Sequence, residues 1–86
     1  MAVYTVSQVS FHIKESLESD PLLNDLWVIG EVSGLRASSA GHTYFSLKDR
    51  DSLLRCVMFR GQRGADLLSE GDSISAHGKM SFYTRG

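Results

Sequence analysis

In the stretch SSAGHTYFSLKDRDSLLRCVMFRG, Ser38 to Gly61, aromatic and basic side chains alternate with apolar ones along two strand-like runs. His42, Tyr44 and Lys48 fall on one side of the first run, Arg55 and Phe59 on one side of the second, and Arg60 follows directly. Such residues on an open β surface can hold single-stranded nucleic acid, because rings stack on bases for roughly 1–3 kcal/mol each while cations follow the phosphates. A solvated sheet face with cross-strand aromatic and charge pairs has the same pattern. The spacing alone leaves both readings open.

Other reactive residue types lead nowhere comparable. Asp49 and Asp51 lack the further carboxylates of a calcium loop and are expected to form the turn between the two runs. His12, His42 and His77 show no metal-ligand spacing with one another or with Cys56, so no metal site is expected. Cys56 lies between Leu54 and Met58 in the alternation, with no adjacent base, and reads as a packed thiol rather than a nucleophile. Gly61-Gln62-Arg63-Gly64 lacks the GxxxxGK[ST] of a phosphate loop, so its glycines are assigned to a turn. No catalytic residue and no cofactor site are expected in this chain.

Charge separates the chain into blocks. Residues 1–33 carry one base, Lys14, against five acids; residues 34–64 carry six bases (Arg36, Lys48, Arg50, Arg55, Arg60 and Arg63) against Asp49 and Asp51. The formal net charge of −1 therefore conceals a basic block that contains the aromatic-basic stretch. The 86 residues suffice for one small domain, and a chain of that length buries only about 60–65% of its unfolded surface. A lone cysteine, no signal-peptide pattern and no apolar run of membrane-spanning length make the cytoplasm the expected compartment.

The elements that must position these side chains follow from periodicity. Val6, Val9, Ile13 and Leu17 recur at helical spacing between Tyr4 and Asp20, with Thr5 and Gln8 as a capping box and Pro21 as the stop. Leu22 and Leu23 are expected to touch the core from a short connector. Leu26 to Ser33 predicts a strand bent or bulged at Gly30, with Leu26, Val28 and Val32 on one face, followed by a loop from Gly34 to Gly41. His42 to Lys48 and Leu53 to Phe59 predict two alternating strands whose core faces are Thr43, Phe45 and Leu47, and Leu54, Cys56 and Met58. A helical turn is expected near Ala65 to Leu68, then a fourth strand from Ser73 to Phe82 and a turn over the last four residues. One helix followed by four short antiparallel strands predicts a small, open barrel or sandwich.

Taken together, Thr5-Val6-Ser7, Trp27-Val28, Gly30-Glu31-Val32-Ser33, Ser39-Ala40-Gly41-His42, Tyr44-Phe45, Leu47-Lys48-Asp49 and Arg55-Cys56-Val57-Met58-Phe59-Arg60 make nearly the whole chain resemble the start of the bacterial exodeoxyribonuclease VII large subunit family. The resemblance implies a mainly β OB-fold, a five-stranded Greek-key barrel preceded by an N-terminal helix. Residues 1–25 would be the helix and connector packed on the barrel, and 26–86 a nucleic-acid-binding OB-fold domain truncated after its fourth strand. It implies that the complete enzyme degrades single-stranded DNA from either end into oligonucleotides, with a separate catalytic domain of unassigned cofactor and a helical region that recruits small subunits. This fragment would supply substrate binding and no hydrolysis.

The residues expected to bind are Tyr44, Lys48, Arg55, Phe59 and Arg60, flanked by Arg36, His42 and Arg50 acting on phosphates. Two alternatives are an RNA-binding OB module of the anticodon-binding type and an assembly domain without nucleic-acid contact. Two departures from the family pattern matter. Leu35 stands where relatives commonly have an aromatic, so no stacking is expected there, and the strand after the Tyr83-Thr84-Arg85-Gly86 turn is missing. An unpaired edge beside the first or fourth strand would then pair with a second copy, by strand addition or swapping.

Overall fold

Thr5 opens helix α1, Val6–Glu18, with both hydrogen bonds of the capping box: the Gln8 N–H donates to Thr5 Oγ1 at 3.1 Å and the Thr5 N–H to Gln8 Oε1 at 2.8 Å. The Asp20 carboxylate then accepts from the Leu22 and Leu23 N–H groups and turns the chain at Pro21. The computed structural model describes residues 1–83, in which α1 is followed by strands β1, Leu26–Ala37, β2, Thr43–Lys48, β3, Leu53–Met58, and β4, Ser73–Gly78. A 3-10 turn, Ala65–Leu67, precedes β4 at the position expected from sequence. No helix among the described residues is long and apolar enough to cross a membrane.

The described chain forms two compact units, Val28–Ala76 and Met1–Trp27 together with residues 77–83. In the first, the strands form one sheet in the order β3-β2-β1-β4, with β2 antiparallel to both β1 and β3. Val32, Phe45 and Leu47 are buried at its centre, and Val28, Leu35, Cys56, Met58, Leu68, Ile74 and Ala76 pack around them. The register explains the choice: Val32 lies opposite Leu47, Phe45 opposite Cys56 and Leu47 opposite Leu54, so one side of the pleat is apolar on three strands. This is the mainly β, open-sheet architecture of an OB-fold with an N-terminal helix, and a fifth strand is not among the described residues.

Several local expectations are corrected. The bulge lies between Ser33 and Arg36, not at Gly30, and β1 continues to Ala37 through what reads as a loop. Gly34, with φ of +66°, takes the left-handed conformation that glycine adopts readily at a bulge, and the extra residue shifts parity so that Leu35 reaches the core. Gly30 has another role, because a Cβ there would lie 3.2 Å from both Leu47 Cβ and the Lys48 carbonyl oxygen. It permits close approach of β1 and β2.

Strand β4 ends at Gly78 rather than Phe82. Within the other unit, Leu22 is exposed, not buried, and the Met80 N–H donates to the Leu23 carbonyl at 2.8 Å. The outer strands of the sheet are β3 and β4; β1 is flanked by β2 and β4 and offers no edge. The expected final turn falls largely outside the described residues.

Candidate nucleic-acid interface

The face opposite the core is built row by row from the same register. Arg36, Tyr44 and Val57 lie abreast, then Ser33, Ser46 and Arg55, then Glu31, Lys48 and Leu53. Alternation dictates this arrangement, since each of these residues is one step from a core-facing neighbour. The Arg36 guanidinium carbon sits 4.7 Å from the centroid of the Tyr44 ring, a cation–π contact that holds a charge over an aromatic face. Without the bulge at Gly34, Arg36 would fall on the other side of β1.

One step beyond β2 and β3 the stripe continues in His42 and Phe59, whose rings meet edge to face with centroids 5.4 Å apart. His42 Nδ1 accepts the Arg60 backbone N–H at 3.0 Å, which places the ring proton of neutral His42 on Nε2. Gly41, with φ of +88°, closes this corner: a Cβ there would lie 2.9 Å from Arg60 Cδ, so only glycine lets the arginine stem lie across the backbone. Phe59 is half exposed and its N–H is held by Gln62 Oε1 at 2.7 Å.

At the opposite end, Lys48 Nζ lies 3.9 Å from Glu31 Oε2, a surface ion pair of small energetic weight. Lys48, Asp49 and Arg50 border a shallow open depression completed by Ile29, Gly30, Glu31 and Ser73. Asp49 makes the turn, its carboxylate accepting from the Asp51 and Ser52 N–H groups at 2.9 Å each. Among the described residues no three His, Cys, Asp or Glu side chains are grouped as metal ligands. Cys56 is half-buried behind the face, and burial pushes its thiol up from the usual value, which disfavours the reactive thiolate.

All eight residues singled out by sequence thus lie in the Val28–Ala76 unit. Arg36, Tyr44, Lys48 and Arg55 share the outer face, His42, Phe59 and Arg60 form the cluster at one end, and Arg50 sits in the turn at the other. Two features escaped that reading. Glu70 reaches back to the bulge, accepting the Gly34 and Leu35 N–H groups at 2.9 Å each, and these bonds hold its carboxyl below the usual glutamate value. In the other unit, the exposed Trp27 stacks on His77 with centroids 4.7 Å apart, while His77 Nε2 hydrogen-bonds to Asp25. The parity of β1 already points Trp27 away from Leu26 and Val28; its partner fifty positions later has no local signal.

A capped N-terminal helix followed by an open four-stranded antiparallel sheet has the architecture of an OB-fold, and residues 4–86 match the family described as OB-fold nucleic acid binding domain. The chain belongs to that family. It is 47% identical over 87 residues to the exodeoxyribonuclease 7 large subunit of Neisseria meningitidis serogroup C, covering 98% of this chain and 19% of that protein. It is also similar to the exodeoxyribonuclease 7 large subunits of Moorella thermoacetica, 42% identical over 85 residues (96% of this chain, 21% of that protein), and Halothermothrix orenii, 41% identical over 83 residues (94% and 20%). The chain spans about a fifth of the length of these curated relatives.

Proposed function

We propose that this domain binds single-stranded DNA with little sequence preference, and that it supplies substrate binding to an exodeoxyribonuclease 7 large subunit. The observation that carries the reading is the alignment of Arg36, Tyr44, Arg55 and Lys48 on the solvent side of β1, β2 and β3, with His42, Phe59 and Arg60 clustered at one end. Tyr44 and Phe59 offer ring faces or edges to bases, and the arginines and Lys48 follow the backbone. No base-specific hydrogen-bonding pocket is needed for such binding, so affinity depends on strand charge and flexibility more than on sequence.

In this reading the rest of the longer protein performs hydrolysis, releasing oligonucleotides from either end of the strand, and recruits small subunits through its own helical region. The cytoplasm is the compartment of such an enzyme. The test is the double variant Tyr44→Ala, Arg55→Ala, measured for binding to a dT oligonucleotide with circular dichroism as the control for folding. Affinity should drop while the spectrum is retained; unchanged affinity sinks the assignment. A parallel titration with RNA of the same sequence distinguishes a DNA-directed module from one built for RNA.

A further inference from the structure

We infer that Trp27 is a further base-stacking position, outside the stripe described above, with His77 as its support. The inference rests on the single-stranded DNA reading and adds a site to it. Trp27 is the one tryptophan of the chain, and 69% of its surface is in solvent, although tryptophan is among the most buried residue types on average. Its indole is held in place: the His77 imidazole lies nearly parallel to it, 18° between planes, and Asp25 pins the imidazole through Nε2. One ring face is therefore occupied and the remaining exposure includes the other.

That geometry suits a planar, neutral aromatic ligand. A base gains π contact on the free face of an indole that is already immobile, so little side-chain entropy is lost on binding. The adjoining Asp25 carboxylate is a poor neighbour for a phosphate and no obstacle to a base edge, which separates this position from the cationic stripe. Trp27 would thus hold a base, and His77 is a positioning residue that acts through the indole.

The experiment uses the sole tryptophan as reporter. The chain is titrated with fluorescein-labelled dT oligonucleotide, followed by anisotropy, and with unlabelled dT oligonucleotide, followed by Trp27 emission; an abasic phosphodiester of equal length and charge is run in parallel. The oligonucleotide should quench Trp27 with the same midpoint as the anisotropy, and the abasic strand should leave emission unchanged. Trp27→Ala should weaken binding by roughly 5- to 150-fold, the range expected for a lost base–aromatic stack, and Trp27→Phe should recover part of it. His77→Ala should reduce dT quenching with Trp27 present. Binding by anisotropy without any change in Trp27 emission, and with wild-type affinity in Trp27→Ala, overturns this inference while leaving the stripe intact. No anisotropy change at all overturns both.

Discussion

Replacing Arg55 by glutamine should change the salt dependence of DNA binding by a defined amount. Each phosphate neutralised on a single strand contributes about −0.7 to the slope of log affinity against log salt. If Arg36, Lys48, Arg50, Arg55 and Arg60 each neutralise one phosphate, the slope is about −3.5, and affinity falls about 100-fold between 50 and 200 mM salt. Two of these cations have other commitments, Lys48 to Glu31 at 3.9 Å and Arg36 to the Tyr44 ring at 4.7 Å. Discounting both gives a lower bound of about −2.1, or about a 20-fold loss over the same range. Arg55 lies in the row of Ser33 and Ser46, with no acid beside it in that row, so its substitution should make the slope less negative by about 0.7. Glu31→Gln should act in the opposite sense, releasing Lys48 and tightening binding by at most about 5-fold, as befits an exposed ion pair. Anisotropy of a labelled dT oligonucleotide at four salt concentrations measures all three proteins. A wild-type slope near zero, or an Arg55→Gln protein that binds more weakly with an unchanged slope, would refute the electrostatic account.

Glu70 should confer acid-sensitive stability on the bulge. Its folded pKa lies below the usual 4.5, chiefly through the Leu35 N–H and then that of Gly34, so its contribution is present above that value and is lost as pH falls through the depressed one. Urea unfolding should therefore show Glu70→Gln less stable than wild type at pH 7, with the gap closing below about pH 4.5; a constant gap would remove the clamp from consideration. Phe45→Ala should cost about 3–5 kcal/mol, enough to threaten a domain of this size, while Leu54→Ala on the same face but more exposed should cost far less; equal losses in thermal melts would contradict the assigned core. The outer strands β3 and β4 should support pairing between copies, seen as dimer by sedimentation at micromolar concentration. A strictly monomeric species with full β content would speak against it.

Features governed by neighbours in sequence were legible before any coordinates. The Thr5–Gln8 capping box, the Asp49 turn and the alternation of β2 and β3 each depend on residues within a few positions of one another, and of the expected core face Phe45, Leu47, Cys56 and Met58 pack in the core while Leu54, near the start of β3, is exposed. Side-chain type and parity were enough to gather most of the candidate site on one surface. Tertiary structure decided what depends on register between distant segments. Gly30 and Gly34 are equivalent as local signals, and only pairing with β2 shows that one permits strand approach and the other carries the bulge. That bulge brings Arg36 over Tyr44, and the return of the chain near β4 brings Glu70 to Gly34. Trp27 gains its support from His77 for the same reason: two rings far apart in the chain stack because backbone pairing, rather than local propensity, sets which residues become neighbours.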